Sequence, residues 1–204
     1  MTIPPLGLRG HLTIPHGARA LIVFVHGSGS SRLSPRNRAV AEALNQHAMA
    51  TLLFDLLTEG EETNRANVFD IELLAERLIE TIDWTSRDPR LKSLPLGLFG
   101  ASTGAAAALV AAARLGDRIG AVVSRGGRPD LAGPALDAVR IPTLLIVGGE
   151  DDVVIELNKE ALARLKGPKA IDIVPRATHL FPEPGTLETV MAHAAQWFEA
   201  YLFK

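Results

Sequence analysis

The chain is predicted to fold as one α/β domain built on a mostly parallel sheet. Strongly apolar runs of strand length alternate with amphipathic helical patterns along the whole sequence. The strand candidates are apolar at nearly every position, which is typical of parallel strands that are covered by helices on both faces. The 204 residues are the length of a single domain, and no repeat or linker divides them, so we assign 1–204 to one domain.

About seven strands are predicted, with helices between most of them. The predicted strands are 6–14, 19–25, 50–55, 95–99, 119–123, 141–147 and 170–174. The predicted helices are 35–47, 68–84, 105–113, 156–165 and 187–203. Segment 6–14 alternates loosely and suggests an antiparallel edge strand, whereas 68–84 has the apolar spacing of an amphipathic helix. Ligands of such sheets bind at the carboxyl ends of the strands, so the loops that follow strands hold the candidate site.

Composition narrows the function classes. The formal net charge of −2 favours neither a nucleic acid nor an anionic membrane as partner. No apolar run reaches the roughly 18 residues that span a bilayer, and the N-terminus does not resemble a signal peptide, so we expect a cytoplasmic protein. The absence of cysteine excludes disulfides and thiolate chemistry. No metal-ligand spacing and no complete phosphate-binding glycine motif occurs, so we predict neither a metal nor another cofactor.

The pentapeptide Gly100-Ala101-Ser102-Thr103-Gly104 lies between the 95–99 strand and the 105–113 helix. A serine between two glycines on a strand-to-helix turn is typical of a nucleophile elbow, in which a strained backbone lifts the hydroxyl clear of the sheet. Glycine on both sides avoids contact with the neighbouring helix and strand. We therefore predict Ser102 as a nucleophile.

A serine nucleophile needs a base, and the base needs an acid that orients it. His179 follows the last predicted strand and precedes the last helix, which is where a base facing Ser102 would lie. Three carboxylates, Glu150, Asp151 and Asp152, follow the 141–147 strand and two glycines. We expect Asp151 to be the acid, with Asp152 as the second choice and Glu150 as the third.

The oxyanion of an acyl-transfer reaction also needs hydrogen-bond donors. We predict the backbone N–H groups of Thr103 and of Ser28, the latter in the glycine-containing loop after the 19–25 strand. His26, which precedes that loop, is expected to brace it rather than to act as a second base.

These motifs in this order resemble an α/β-hydrolase, and most closely the small, lid-free dienelactone-hydrolase-like group. The resemblance extends from about residue 21 to the last helix and implies Ser102, Asp151 and His179 as a catalytic triad, with the amides of Ser28 and Thr103 as the oxyanion hole. It implies an α/β-hydrolase fold without a large lid. Dienelactone hydrolases carry cysteine at the elbow, whereas this chain carries serine, which points to a serine esterase-like enzyme.

The sequence thus predicts a serine hydrolase that cleaves small esters, lactones or thioesters through an acyl-enzyme. Two alternatives stay open: a catalytically idle hydrolase fold that serves as a binding module, and a hydrolase of C–C or peptide bonds. With one tyrosine and two tryptophans the chain offers little material for a polymer-binding groove, so we expect a small-molecule substrate. Arg125, Arg128 and Glu59 follow strands and are possible residues of the substrate rim.

Overall fold

The computed structural model of the chain describes residues 1–203, and these form an eight-stranded, mostly parallel sheet. The strand order is β1-β2-β4-β3-β5-β6-β7-β8. Strand β2 pairs antiparallel with both β1 and β4, and every other neighbouring pair is parallel. The strands are β1 Thr2–Ile3, β2 Leu8–Thr13, β3 Ala20–Val25, β4 Met49–Phe54, β5 Leu96–Ala101, β6 Ala121–Arg125, β7 Thr143–Gly148 and β8 Lys169–Val174.

Helices cover both faces of the sheet. They are α1 Pro35–Gln46, α2 Glu59–Glu62, α3 Arg65–Phe69, α4 Ile71–Thr85, α5 Thr103–Leu115, α6 Asp152–Arg164 and α7 Thr186–Leu202, with 3-10 segments at Gly116–Arg118 and Pro129–Ala138. One apolar core joins the sheet to α4 and α5, and the other joins it to α1 and α7. The α/β class and the absence of a large lid are therefore confirmed.

Strand β3 shows why the central strands are apolar throughout. Leu21, Val23 and Val25 point into the first core, whereas the alternating residues Ile22 and Phe24 point into the second. Both sets are buried, because a helical layer lies over each face. The alanine-rich helix α5 packs closely on the sheet, with buried alanines along most of its length.

Two predicted elements differ from the structure. The predicted helix 68–84 is two helices, because the Asp70 carboxylate accepts the Leu73 N–H at 3.0 Å and so caps the start of α4. The predicted edge strand 6–14 is present as β2, but the two-residue strand β1 lies outside it and forms the true edge. A strand of two residues is too short to show an alternating pattern in the sequence.

Among residues 1–203, none of the helices has both the length and the apolar character that crossing a membrane requires.

Candidate active site

Ser102 lies alone on the sharp turn between β5 and α5. Its backbone has φ 51° and ψ −124°, a left-handed conformation that is costly for any residue other than glycine. A Cβ at Gly100 would come within 2.5 Å of Ala105 Cα, and one at Gly104 within 2.2 Å of the Val25 carbonyl oxygen. Both positions therefore require glycine for the steric reason that the sequence pattern suggested.

A cavity of about 820 Å³ opens at the carboxyl ends of the strands. Ser102 and His179 both line it, together with Ser28 in the loop after β3. Two segments that are 77 residues apart in sequence thus face the same space, as the topology of a parallel sheet requires. No direct hydrogen bond joins the Ser102 hydroxyl to the His179 ring in residues 1–203; such contacts often tighten only when substrate binds.

His179 is held by one of the three candidate carboxylates. Its Nδ1 lies 2.7 Å from Asp151 Oδ2, and the side chains of His179 and Asp151 are 38% and 18% exposed. A carboxylate accepts only, so Nδ1 carries the proton and Nε2 is left free as a base. Glu150 and Asp152 are exposed and make no hydrogen bond with the ring in the described part of the chain.

Backbone contacts set the register between the acid loop and the histidine loop. The Glu150 N–H donates to the Ala177 oxygen at 2.9 Å. A Cβ at Gly148 would lie 2.4 Å from that same oxygen, so only glycine permits the close approach of the two loops. This packing brings Asp151 within reach of His179.

The two predicted oxyanion donors are in different states. Thr103 is the first residue of α5, so its N–H has no intrahelical acceptor. The Ser28 N–H, in contrast, donates to the Thr103 side-chain oxygen Oγ1 at 2.8 Å. The Thr103 hydroxyl therefore holds the Ser28 donor in this structure. Sequence reasoning missed this contact because it joins residues 75 positions apart.

His26 braces the loop after β3, as predicted. Its Nδ1 donates to the Gly27 oxygen at 3.0 Å, and its Nε2 accepts the Leu56 N–H at 3.1 Å. These two backbone partners are satisfied only by the neutral ring. Burial lowers the pKa of His26, against smaller opposing effects of the Gly27 hydrogen bond and of the Asp55 and Glu62 carboxylates.

Of the three possible rim residues, only Arg125 lines the cavity, where it is buried at the end of β6. Arg128 and Glu59 do not line the cavity, so the prediction that they belong to the substrate rim is wrong. Arg128 instead forms an ion pair with Asp130, two residues away, with Nη2 and Oδ2 2.8 Å apart. Glu59 is exposed, pairs with Arg9 at 2.7 Å and borders a separate hollow. Each of these two side chains pairs with a nearby residue of opposite charge and lies outside the cavity that Ser102 lines.

The cavity also contains residues that were not singled out in sequence. Arg36 and Asn37, in the first turn of α1, contribute polar groups, and Glu62 contributes a carboxylate. Part of the remaining surface is apolar, formed by Leu33, Leu56, Leu57, Val68, Leu74 and Leu180. The sequence could have pointed to Arg36 and Asn37, because they lie where a helix begins just after a strand-end loop.

Comparisons with solved structures return α/β hydrolases. The dienelactone hydrolase from Anabaena variabilis is 54% identical, with a TM-score of 0.95 over 98% of this chain and 95% of that one. Est1E from Butyrivibrio proteoclasticus is 17% identical, with a TM-score of 0.85 over 100% of this chain and 99% of that one, and therefore supports the fold alone. No family model matches the chain.

Two curated relatives carry a different kind of name. They come from two strains of Mycobacterium tuberculosis, are provisionally named phosphoribosyl transferases, and are 61% identical over 198 residues. The match covers 97% of this chain but 45% of each relative, so the chain spans less than half the length of these proteins.

Proposed function

The chain belongs to the α/β hydrolases, in the group of the dienelactone hydrolase, and on that premise we propose that it is a serine hydrolase of small carboxylic esters, lactones or thioesters. The observation that carries the proposal is the 2.7 Å contact between His179 Nδ1 and Asp151 Oδ2, which orients a histidine that lines the same cavity as Ser102.

In the proposed mechanism Ser102 and His179 act in two half-reactions. His179 Nε2 takes the Ser102 hydroxyl proton as the oxygen attacks the acyl carbon, and the protonated ring then gives that proton to the leaving group as the acyl bond breaks. Water next attacks the acyl-enzyme, giving one proton to His179 Nε2, and the ring returns it to the departing Ser102 oxygen. Asp151 keeps the Nδ1 proton in place and stabilises the transient imidazolium.

The developing oxyanion is proposed to bind the N–H of Thr103 and that of Ser28. Loss of one such donor typically lowers the rate by about 100-fold or more. The Ser28 N–H becomes available when the Thr103 side chain releases it, or shares it with the substrate oxygen. We propose that the chain acts in the cytoplasm, a reducing compartment that suits a chain without cysteine.

Phosphoribosyl transfer is the second candidate, because the relatives that carry this name are 61% identical to the chain. We assign that name to the part of those proteins that this chain does not match. The reason is chemical: a serine and a histidine that line one cavity, with the histidine ring held by a carboxylate, suit covalent acyl transfer, whereas phosphoribosyl transfer requires no serine nucleophile.

Labelling with a fluorophosphonate tests the proposed nucleophile without knowledge of the substrate. We expect the folded protein to be labelled, Ser102→Ala to be unlabelled, and Ser31→Ala, a serine lining the same cavity, to be labelled like the natural chain. Hydrolysis of 4-nitrophenyl acetate should follow the same pattern. Absence of labelling and turnover in the folded protein would refute the serine mechanism and favour an idle binding module.

A further inference from the structure

Asn158 is the only polar side chain among the buried residues of α6. The other buried residues of this helix are Val154, Ile155 and Ala161. The Asn158 side chain is fully buried, and its Oδ1 atom has no hydrogen-bond partner in residues 1–203. A buried amide with an unpaired acceptor destabilises a folded protein, so its presence on an apolar helix face calls for an explanation.

The amide nitrogen of Asn158 holds segment 125–128, which lies at the end of β6. Nδ2 donates to the Gly127 oxygen at 3.0 Å and to the Val154 oxygen, one turn earlier in the helix, at 2.8 Å. Gly127 is buried, and its oxygen accepts no other hydrogen bond in the described part of the chain. Without the amide this carbonyl would be unpaired in the interior, so we expect the segment to move until the oxygen finds another donor.

The same segment clamps the backbone of the candidate nucleophile. The Ser102 N–H donates to the Arg125 oxygen at 3.3 Å, and the Arg128 N–H donates to the Ser102 oxygen at 3.0 Å. Both backbone polar groups of Ser102 are thus bonded to the two ends of a segment whose middle, Gly127, is bonded to Asn158. A movement of the segment is therefore transmitted to the serine.

The segment also packs against the candidate base. A Cβ at Gly126 would lie 2.8 Å from the His179 oxygen and 3.7 Å from its Cε1, so the glycine backbone lies directly against the histidine. The Gly126 N–H donates to the Ile146 oxygen in β7 at 2.8 Å. Asn158 lies about two turns after Asp151, the N-cap residue of α6, which binds His179. Helix α6 therefore carries the candidate acid at its start and the donor that holds the segment farther along.

We propose that Asn158 is a positioning residue that aligns Ser102 with His179 through segment 125–128. The serine hydroxyl and the histidine ring share no direct hydrogen bond in residues 1–203, so their relative placement depends on the backbone around them. A misplacement of about 1 Å can lower the rate of a reaction by about 100-fold. Asn158 does not line the cavity, so it acts through the segment and not on the substrate. This role rests on the proposed serine-hydrolase function.

Two variants remove the donor to Gly127 with opposite effects on packing. Asn158→Ser keeps a hydroxyl that can donate to the Val154 oxygen within the helix but is too short to reach Gly127, whereas Asn158→Leu places apolar atoms there. In both variants kcat for neutral 4-nitrophenyl acetate should fall by about 10- to 100-fold, with KM changed less than about threefold. The rate of fluorophosphonate labelling of Ser102 should fall by a similar factor. Unchanged kcat and labelling in the folded variants overturn the proposal, and if one variant does not fold, the other decides.

Thr143→Val is the matched control for structural damage. Thr143 is also fully buried, and its hydroxyl donates to the Ile141 oxygen at 2.9 Å. The variant therefore removes a side-chain to backbone bond of the same kind, but at the amino end of β7, across the sheet from the cavity. We expect a lower Tm with kcat within about twofold of the natural chain. A fall in kcat as large as that in the Asn158 variants would contradict a specific positioning role.

Amide hydrogen exchange followed by NMR reports on the clamp without any substrate. In Asn158→Ser the Arg128 N–H, which bonds the Ser102 oxygen, should exchange about tenfold faster or more, while the amides of β3 keep their protection. Faster exchange with unchanged turnover, or lower turnover with unchanged exchange, would overturn the proposal and leave the hydrolase function intact. A natural chain that shows neither labelling nor turnover would reject the hydrolase function itself, and this role with it.

Discussion

Replacing Gly104 by alanine tests whether close packing of α5 against the end of β3 creates the candidate active site. The added methyl group would lie 2.2 Å from the Val25 oxygen and 2.4 Å from the His26 oxygen, whereas ordinary contacts begin near 3.4 Å. Both obstacles are backbone atoms, so no rotamer change can relieve them. The helix and the strand must separate by about 1 Å, and close-packed interiors resist such a shift.

The energetic consequence can be bounded from this geometry. Overpacking of a core typically costs about 1–3 kcal/mol, and a clash between backbone segments belongs at the upper end of that range. For a chain of this length, about 3 kcal/mol corresponds to a fall in Tm of roughly 6–12 °C. Because His26 precedes the loop that holds Ser28, we also expect the fluorophosphonate labelling rate of Ser102 to fall.

Gly60→Ala is the matched control. Gly60 lies in the exposed helix α2, and a Cβ there would meet nothing within 4 Å. Alanine favours a helix over glycine by up to about 1 kcal/mol, so Tm should stay the same or rise slightly. Thermal denaturation followed by circular dichroism measures both variants. A Gly104→Ala protein as stable as the natural chain would refute the packing argument, whatever the enzyme's substrate.

Three further predictions concern the proposed site. Asp151→Asn should lower the rate of reaction with the fluorophosphonate by about 100-fold or more, because the amide no longer fixes the His179 tautomer. Asp152→Asn, at an exposed position, should change that rate less than about threefold. A larger loss in Asp152→Asn than in Asp151→Asn would identify Asp152 as the acid. Burial lowers the pKa of His26 in the folded state, so below the ordinary histidine pKa of about 6.5 the unfolded state binds a proton at His26 more readily than the folded state does. The free energy of unfolding therefore falls by up to about 1.4 kcal/mol per pH unit as the pH drops below about 6.5. Urea unfolding at pH 7.5 and 5.5 should show a smaller loss in His26→Gln than in the natural chain, and equal losses would exclude this histidine as the cause. Thr103→Val, which removes the acceptor of the Ser28 N–H, should retain ester turnover with somewhat lower stability. A loss of kcat that Thr103→Ser restores would instead mean that the hydroxyl contacts the transition state.

Much of the fold could be read from sequence because it rests on local patterns. A buried parallel strand must be apolar on both faces, and segment 20–25 satisfies this at every position. The elbow was recognisable because its serine and both glycines lie within five residues, Gly100 to Gly104, although the atoms that a Cβ at those glycines would meet include the distant Val25 and His26 oxygens. The break before α4 was missed because the apolar pattern continues across Asp70, whose capping role depends on the backbone conformation.

The candidate triad was only partly decided by sequence. The pattern of strand-end loops nominated Ser102 and His179, but three adjacent carboxylates were indistinguishable by spacing alone. Tertiary packing of Glu150 against Ala177 turns Asp151, and not its neighbours, toward the histidine. Such a contact between loops depends on where two chain segments meet, which a local pattern does not encode.

The residues around the cavity show most clearly which features the sequence determined and which the tertiary structure decided. By itself the sequence determined the α/β class, the elbow and the order of the candidate catalytic residues, because chain order and short-range sterics fix these. Only the tertiary structure decided that Arg125 is buried and unpaired while Arg128 is neutralised by Asp130. Two arginines three residues apart look alike in sequence; their charges differ in effect because burial and the choice of partner depend on the surrounding fold.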